Sequence, residues 1–241
     1  NPENKKTQGT MNEVKQVSDS LKYLKLWFEK YRTSQNQEQI RSYRRKQDLL
    51  QASEIQQSLI KTNFPAFPER DDISLYAIYK PARVVSGDLF DYFFIDDENI
   101  VFTIGDVSGK GVPAAIFMSI AQTIIKNNSS YKRAKNIVNK ANIDLYTNNQ
   151  HQFFVTLFLG IFNVKKGELN YCNAAHTTAF VVKTNGEIIE LDQTHGLPLG
   201  LYSKKEYKDS RINLDKGDKL VWYTDGVTEL NDADKNQYGA E

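Results

Sequence analysis

The sequence predicts an α+β layered domain preceded by a long helical segment. Three observations predict it. Residues 12–62 contain no Gly and no Pro, and they are rich in Lys, Gln, Glu, Leu and Arg, which favour helix. After "NFPAFPERDD" (63–72) the period changes to short β-branched and aromatic runs. Two further helical stretches follow one another between strands instead of alternating with them, which disfavours βαβ units and a parallel sheet.

In the helical segment Leu21, Leu24, Phe28 and Tyr31 are spaced 3, 4, 3, and Leu49, Ala52, Ile55 and Leu59 are spaced 3, 3, 4. Both sets make an apolar stripe. Between them "TSQNQEQ" (33–39) is polar, so the expectation is one long helix with a weak middle, or two helices meeting there. A narrow stripe needs a partner. A second copy of the chain is expected to supply it, giving a homodimer; packing onto the globular part is the alternative. Trp27 and Phe28 then read as interface or core residues. Two prolines in "NFPAFP" end the helix. The predicted division is residues 1–62 as a helical linker and 63–241 as the globular domain.

The expected strands are "ISLYAIYK" (73–80), "LFDYFFI" (89–95), "NIVFTIG" (99–105), "FFVTLFLGIF" (153–162), "ELNYCNA" (168–174), "AFVVK" (179–183), "EIIEL" (187–191) and "DKLVWYT" (218–224). "DDEN", "KKGE" and "TNGE" separate several of them as turns, and Asn185-Gly186 marks a tight hairpin. Helices are expected at "PAAIFMSIAQTIIKN" (113–127), with its proline in the first turn, and at 131–147.

The net charge of +1 argues against a nucleic-acid binder. Residues 1–62 carry a balance of +5 and residues 63–241 one of −4. The basic arm alternates with acids and amides, so it reads as a solvated helix face. The single cysteine, Cys172, fits a reducing compartment and hence the cytoplasm. No apolar run approaches the ~18 residues of a membrane span, and no signal peptide is visible. The asparagine start suggests a piece of something larger, with room for a sensor or membrane domain ahead of it.

The chemistry concentrates in "SGDLFDYFFIDDENIVFTIGDVSGKG" (86–111). Its loop "GDVSGKG" is not a phosphate-binding P-loop: three residues separate Gly105 from Gly109, and Gly111 stands where Ser or Thr should follow the lysine. Asp106 instead closes a strand at a glycine turn, where backbone carbonyls can approach the same point. Such an oxygen-rich corner suits Mg²⁺ or Mn²⁺. Asp88 follows Gly87, and Asp225 precedes Gly226 after another apolar run. Three aspartates beside glycines at strand ends form a metal cluster if they converge, and three unrelated turns if they do not.

In order and spacing, "SGDLFDYFFIDDENIVFTIGDVSGKGVPAAIFM", "FFVTLFLGIFN", "LNYCNAAHTTAFVV" and "LVWYTDGVTELND" resemble the RsbU/SpoIIE-type serine/threonine phosphatases, the bacterial branch of the metal-dependent PPM (type 2C) family. The resemblance runs from about residue 50 to the C-terminus. It implies a β-sandwich flanked by helices in αββα layers, with two Mn²⁺ or Mg²⁺ at one end. It assigns Asp88, Asp106, Asp225 and the Val107 carbonyl as metal ligands, and metal-assisted hydrolysis of phosphoserine as the reaction. The implied substrate is a phosphorylated STAS-domain anti-sigma-factor antagonist in bacterial partner switching, with the N-terminal helix, residues 40–62 above all, as regulator. Asp91 reads as at most a neighbour of the site.

The chain departs from the family in three places. Ser86 replaces the first glycine of Gly-Gly-Asp, and Ala175 replaces the glycine of Asn-Ala-Gly-His; both changes are expected to be tolerated. The family's last strand and fourth acidic ligand are expected to be missing after Glu241, which would leave the centre incomplete. A weak or inactive scaffold that binds a phosphoprotein is therefore the rival expectation. His176 reads as a structural hydrogen-bonding residue, with general acid or metal ligand as alternatives. His151 and His195 read as loop residues, and Lys110 as a phosphate contact or a solvated turn residue.

Overall fold

The fold, a computed structural model, describes residues 2–82, 84–147, 149–232 and 237–239. Two compact units emerge, 1–51 and 52–241. A single helix, α1 (Pro2–Leu59), begins in the first. It runs unbroken through the polar 33–39 stretch: no Gly or Pro breaks it there, and Gln35, Gln37, Glu38 and Gln39 favour helix. Thr33 returns its hydroxyl to the Glu29 carbonyl at 2.8 Å. In the first unit the stripe is exposed: Leu21, Leu24, Trp27, Phe28 and Tyr31 are all more than half accessible, so Trp27 and Phe28 are not core residues. Trp27 stacks on Tyr31 one turn on, at 5.4 Å. No helix among the described residues is long and apolar enough to cross a membrane.

The second unit holds two antiparallel sheets. In chain order its elements are β1 (Leu89–Phe94), β2 (Asn99–Val107), α2 (Val112–Asn127), α3 (Ala134–Thr147), β3 (Val155–Asn163), β4 (Glu168–Ala174), β5 (Ala179–Val182), β6 (Ile188–Leu191), β7 (Ser210–Asn213), β8 (Lys219–Val221) and the short α4 (Asp225–Thr228). One sheet is ordered β1-β2-β3-β4-β7, the other β6-β5-β8. The α+β expectation holds, as does the hairpin at Asn185-Gly186, where β5 pairs with β6 and Gly186 has φ 88°.

Strand alternation sorts the core into two layers. Leu89, Val101, Leu157, Leu159 and Cys172 face α2 and α3 on one side of the large sheet. Tyr92, Phe102, Ile104, Phe158 and Tyr171 face Ala179, Val181 and Leu191 of the small sheet. Phe102 stacks on Trp222 at 4.7 Å. It lies across Gly160, its ladder partner, where any Cβ would come within 2.3 Å of the ring.

Four expectations change. Residues 73–80 alternate between half-buried and exposed as a strand would, yet they form no ladder among the described residues. The helix expected at 131–147 begins at Ala134, because Lys132 turns left-handed (φ 49°) after a 3-10 turn at Ser129–Tyr131. The 218–224 strand shrinks to β8. The edge strand β7, "SRIN", was not anticipated, since Ile212 is its single apolar residue.

Candidate metal centre

β1 and β2 pair with Leu89 opposite Gly105. Continued one step, that register sets Asp88 opposite Asp106. Opposed residues share a face, with Cβ atoms about 5 Å apart. The face is the one Phe102 and Ile104 use, so both carboxylates lie at the open end between the sheets. From the second sheet, β8 leads through Trp222–Thr224 into Asp225, the first residue of α4. Asp88, Asp106 and Asp225 each offer an oxygen within 4.8 Å of the others. Asp88 and Asp106 are half-buried and Asp225 is exposed.

The backbone closes on the same point. A Cβ on Gly87 would lie 2.9 Å from the Val107 carbonyl oxygen and 3.3 Å from Asp106 Oδ1. Only glycine lets these strands approach so closely, and the Val107 carbonyl and the Asp106 carboxylate flank one spot. Before Gly87, the Ser86 N–H donates to Gln56 Oε1 at 3.1 Å, and Gln56 Nε2 donates to the Ser86 carbonyl at 2.7 Å. Gln56 belongs to the last turns of α1 and is buried.

Burial raises the Asp106 carboxyl to about 7, helped by the charges of Asp88 and Asp225 and a hydrogen bond shared with Asp88. Asp88 is also raised, by burial first and the Asp225 charge, against the pull of Ser86. Among the described residues no Lys or Arg forms an ion pair with the three. An uncompensated cluster of like charge is costly. All its donors are oxygens, three carboxylates and a carbonyl, which is the set a hard divalent cation prefers. The residues therefore fit Mg²⁺ or Mn²⁺.

Residues 96–241 match the family model described as Stage II sporulation protein E (SpoIIE). The chain belongs to the SpoIIE family. Asp106 and Asp225 lie inside the matched stretch, and Asp88 just ahead of it. The chain is 32% identical over 186 residues to the phosphoserine phosphatase RsbU of Bacillus subtilis, covering 74% of this chain and 52% of RsbU. It spans between a third and about half the length of the curated relatives it matches. The SiaA-PP2C domain of Pseudomonas aeruginosa superposes with a TM-score of 0.71 at 17% identity, over 83% of this chain and 79% of that one. RsbX, solved in complex with magnesium, superposes at 0.53 with 20% identity, over 63% and 72%. At such identities these two neighbours show the fold alone.

In this SpoIIE-family chain His176 is a tie within the protein. Thr156, the ladder partner of Asp106, meets His176 Nδ1 at 2.9 Å. Asn173 holds both the N–H of His176, at 2.8 Å, and its carbonyl, at 3.2 Å. The neighbouring Thr177 hydroxyl donates to the Tyr223 carbonyl, two residues before Asp225. Burial keeps His176 neutral, with a pKa down to about 4. The loop carrying it turns at Ala175, which has φ 56°, a conformation that suits glycine. His195 is a loop residue by backbone but is buried: its Nδ1 accepts from the Asn173 N–H at 3.0 Å, so its Nε2 carries the proton and donates to Ser210 at 2.8 Å.

The remaining candidates lie elsewhere. Asp91 faces the helix side and pairs with Lys61 at 2.7 Å, tying the segment after α1 to β1. Lys110 and His151 are exposed, and Cys172 is buried, its thiol pushed up by burial. Residues not singled out from sequence are Gln56, Thr156, Asn173 and Thr177. Gln56 did carry a signal: it is polar yet sits within the 52–59 stripe. Thr156 is found only once the β2–β3 register is known.

Proposed function

We propose that the chain is a metal-dependent protein serine/threonine phosphatase that hydrolyses phosphoserine on a STAS-type anti-sigma-factor antagonist in partner-switching signalling. One observation carries the reading: Asp88, Asp106 and Asp225 each offer an oxygen within 4.8 Å of the others, and among the described residues no Lys or Arg pairs with them. Asp88, Asp106, Asp225 and the Val107 carbonyl would hold two Mn²⁺ or Mg²⁺. When bound, such ions supply a water of lowered pKa and Lewis acidity toward phosphate oxygens. The chain's own part is to hold the carboxylates still. Gly87 permits the close approach, the Thr156 hydroxyl on β3 reaches the Asp106 carbonyl at 3.4 Å and meets His176 from the loop after β4, and Thr177 anchors the segment that presents Asp225. The buried Cys172 thiol has no role as a nucleophile, consistent with direct attack by water. The name of RsbU supports the phosphoserine reading by relationship.

In this reading residues 1–62 are the regulatory linker and 63–241 the catalytic domain. The exposed stripe of residues 21–31 is the homodimer surface. Gln56 gives the end of the linker helix a grip on the Ser86 peptide, two residues from Asp88. Phosphate release from a serine-phosphorylated STAS protein with Mn²⁺ tests the proposal. Asp106→Asn is expected to lower the rate about 10²–10³-fold, the scale of losing a principal electrostatic contribution. An unchanged rate overturns the metal reading, and binding of the phosphoprotein without hydrolysis by the parent chain would make it a scaffold.

A further inference from the structure

Just ahead of β1 the Ser86 hydroxyl is used twice. Ser86 Oγ donates to Asp88 Oδ2 at 3.1 Å and accepts from the Asp88 N–H at 3.2 Å. One bond goes to the side chain of Asp88 and one to its main chain, so together they restrict the rotation of its carboxylate. Ser86 cannot drift in response, because Gln56, 6% exposed, grips both its N–H and its carbonyl. A glycine at 86 would supply no hydroxyl and a looser backbone.

We propose that Ser86 is a positioning residue for the metal centre, its hydroxyl holding the Asp88 carboxylate in the orientation that faces Asp106 and Asp225. The inference rests on the metal-centre reading above. Preorganisation of a ligand strengthens binding by lowering the ordering that binding requires. Its effect therefore falls on metal affinity and leaves the rate with metal bound nearly unchanged. Ser86 touches no reacting atom.

The test is Mn²⁺ binding to the whole chain by calorimetry, beside the Mn²⁺ dependence of phosphate release. Ser86→Ala is expected to weaken Mn²⁺ binding about 3–10-fold, as loss of ordering worth about 1 kcal/mol predicts, while the rate at saturating Mn²⁺ stays within about twofold. Ser86→Thr keeps the hydroxyl and is expected to bind within about twofold of the parent. Parent-like affinity in Ser86→Ala overturns the inference. Equal weakening in both variants also overturns it, because the cause would then be packing. Failure of the underlying reading looks different: the parent chain would bind no Mn²⁺, or Asp106→Asn would bind it as tightly.

Discussion

The β1–β2 hairpin carries acids at both ends, and the two ends behave in opposite ways. At the turn, Asp96 Oδ1 accepts from the N–H groups of Glu98 and Asn99 at 3.0 and 2.8 Å, and Lys132 reaches Oδ2 at 2.7 Å. Lys132 first, then Asn99, holds this carboxyl well below the usual range. Glu98 beside it is lowered by Lys165. At the open end, Asp88 and Asp106 face a third acid instead of a base, and both are raised. The two ends differ in burial, the first cause of the raised carboxyls at the open end, and in the charge around them. Compensation marks the turn acids as structural. Its lack at the open end is the feature on which the proposed metal centre rests.

The largest expected effect separates the two ends directly. Asp106→Asn should abolish most Mn²⁺-dependent hydrolysis, while Asp96→Asn should leave it within about twofold and cost less than about 1 kcal/mol of stability, as exposed pairs do. A comparable loss in both variants would erase the distinction.

The next effect concerns pH. The Asp106 carboxyl is raised to about 7 in the folded chain, so its contribution to stability is complete below about pH 4 and is lost as pH rises through 7. A cation competes with that proton. Mn²⁺ at a hundredfold excess over its Kd should stabilise by about 2.7 kcal/mol, with a larger rise in Tm at pH 8 than at pH 5. Asp106→Asn should remove the pH difference in thermal melts, and Asp96→Asn should keep it.

Asp91, mid-strand and 4% exposed, stands between the two cases with one cation, Lys61. Lys61→Met leaves a buried acid unpaired, and denaturant unfolding should show a loss of about 1–3 kcal/mol, moderated by the partial exposure of the lysine. A neutral outcome would mean that Asp91 is balanced by some other group.

The smallest effect tests the loop that braces the open end. Ala175 sits at φ 56°, so Ala175→Gly should stabilise the chain by about 1 kcal/mol in the same experiment, with Mn²⁺ affinity unchanged.

Much of the fold was legible because its signals are local. The 168–174 strand emerged with the bounds expected of it, and the Asn185-Gly186 turn formed its hairpin, since alternation and turn chemistry act within a few residues. The misreadings share a different cause. Residues 73–80 have a strand's alternation, but a strand also needs a neighbour to pair with. "SRIN" lacks a strand's composition, yet β4 supplies it with a partner through four ladder pairs. At the site, Asp88, Asp106 and Asp225 stood out by their glycines. Gln56, Thr156 and Thr177 did not, because what links them to the aspartates is pairing across the chain.

The sequence by itself determined the helix, most strands and turns, and the three aspartates beside glycines at strand ends. These follow from backbone preference and side-chain period, which are properties of neighbours in the chain. The tertiary structure alone decided that acids 119 positions apart in the chain, from Asp106 to Asp225, meet at one end of a sandwich. It also decided that Asp91 faces away toward Lys61 and that Ser86 is held between Gln56 and Asp88. Electrostatic energy depends on distance in space, and only the packing of one sheet on the other sets that distance.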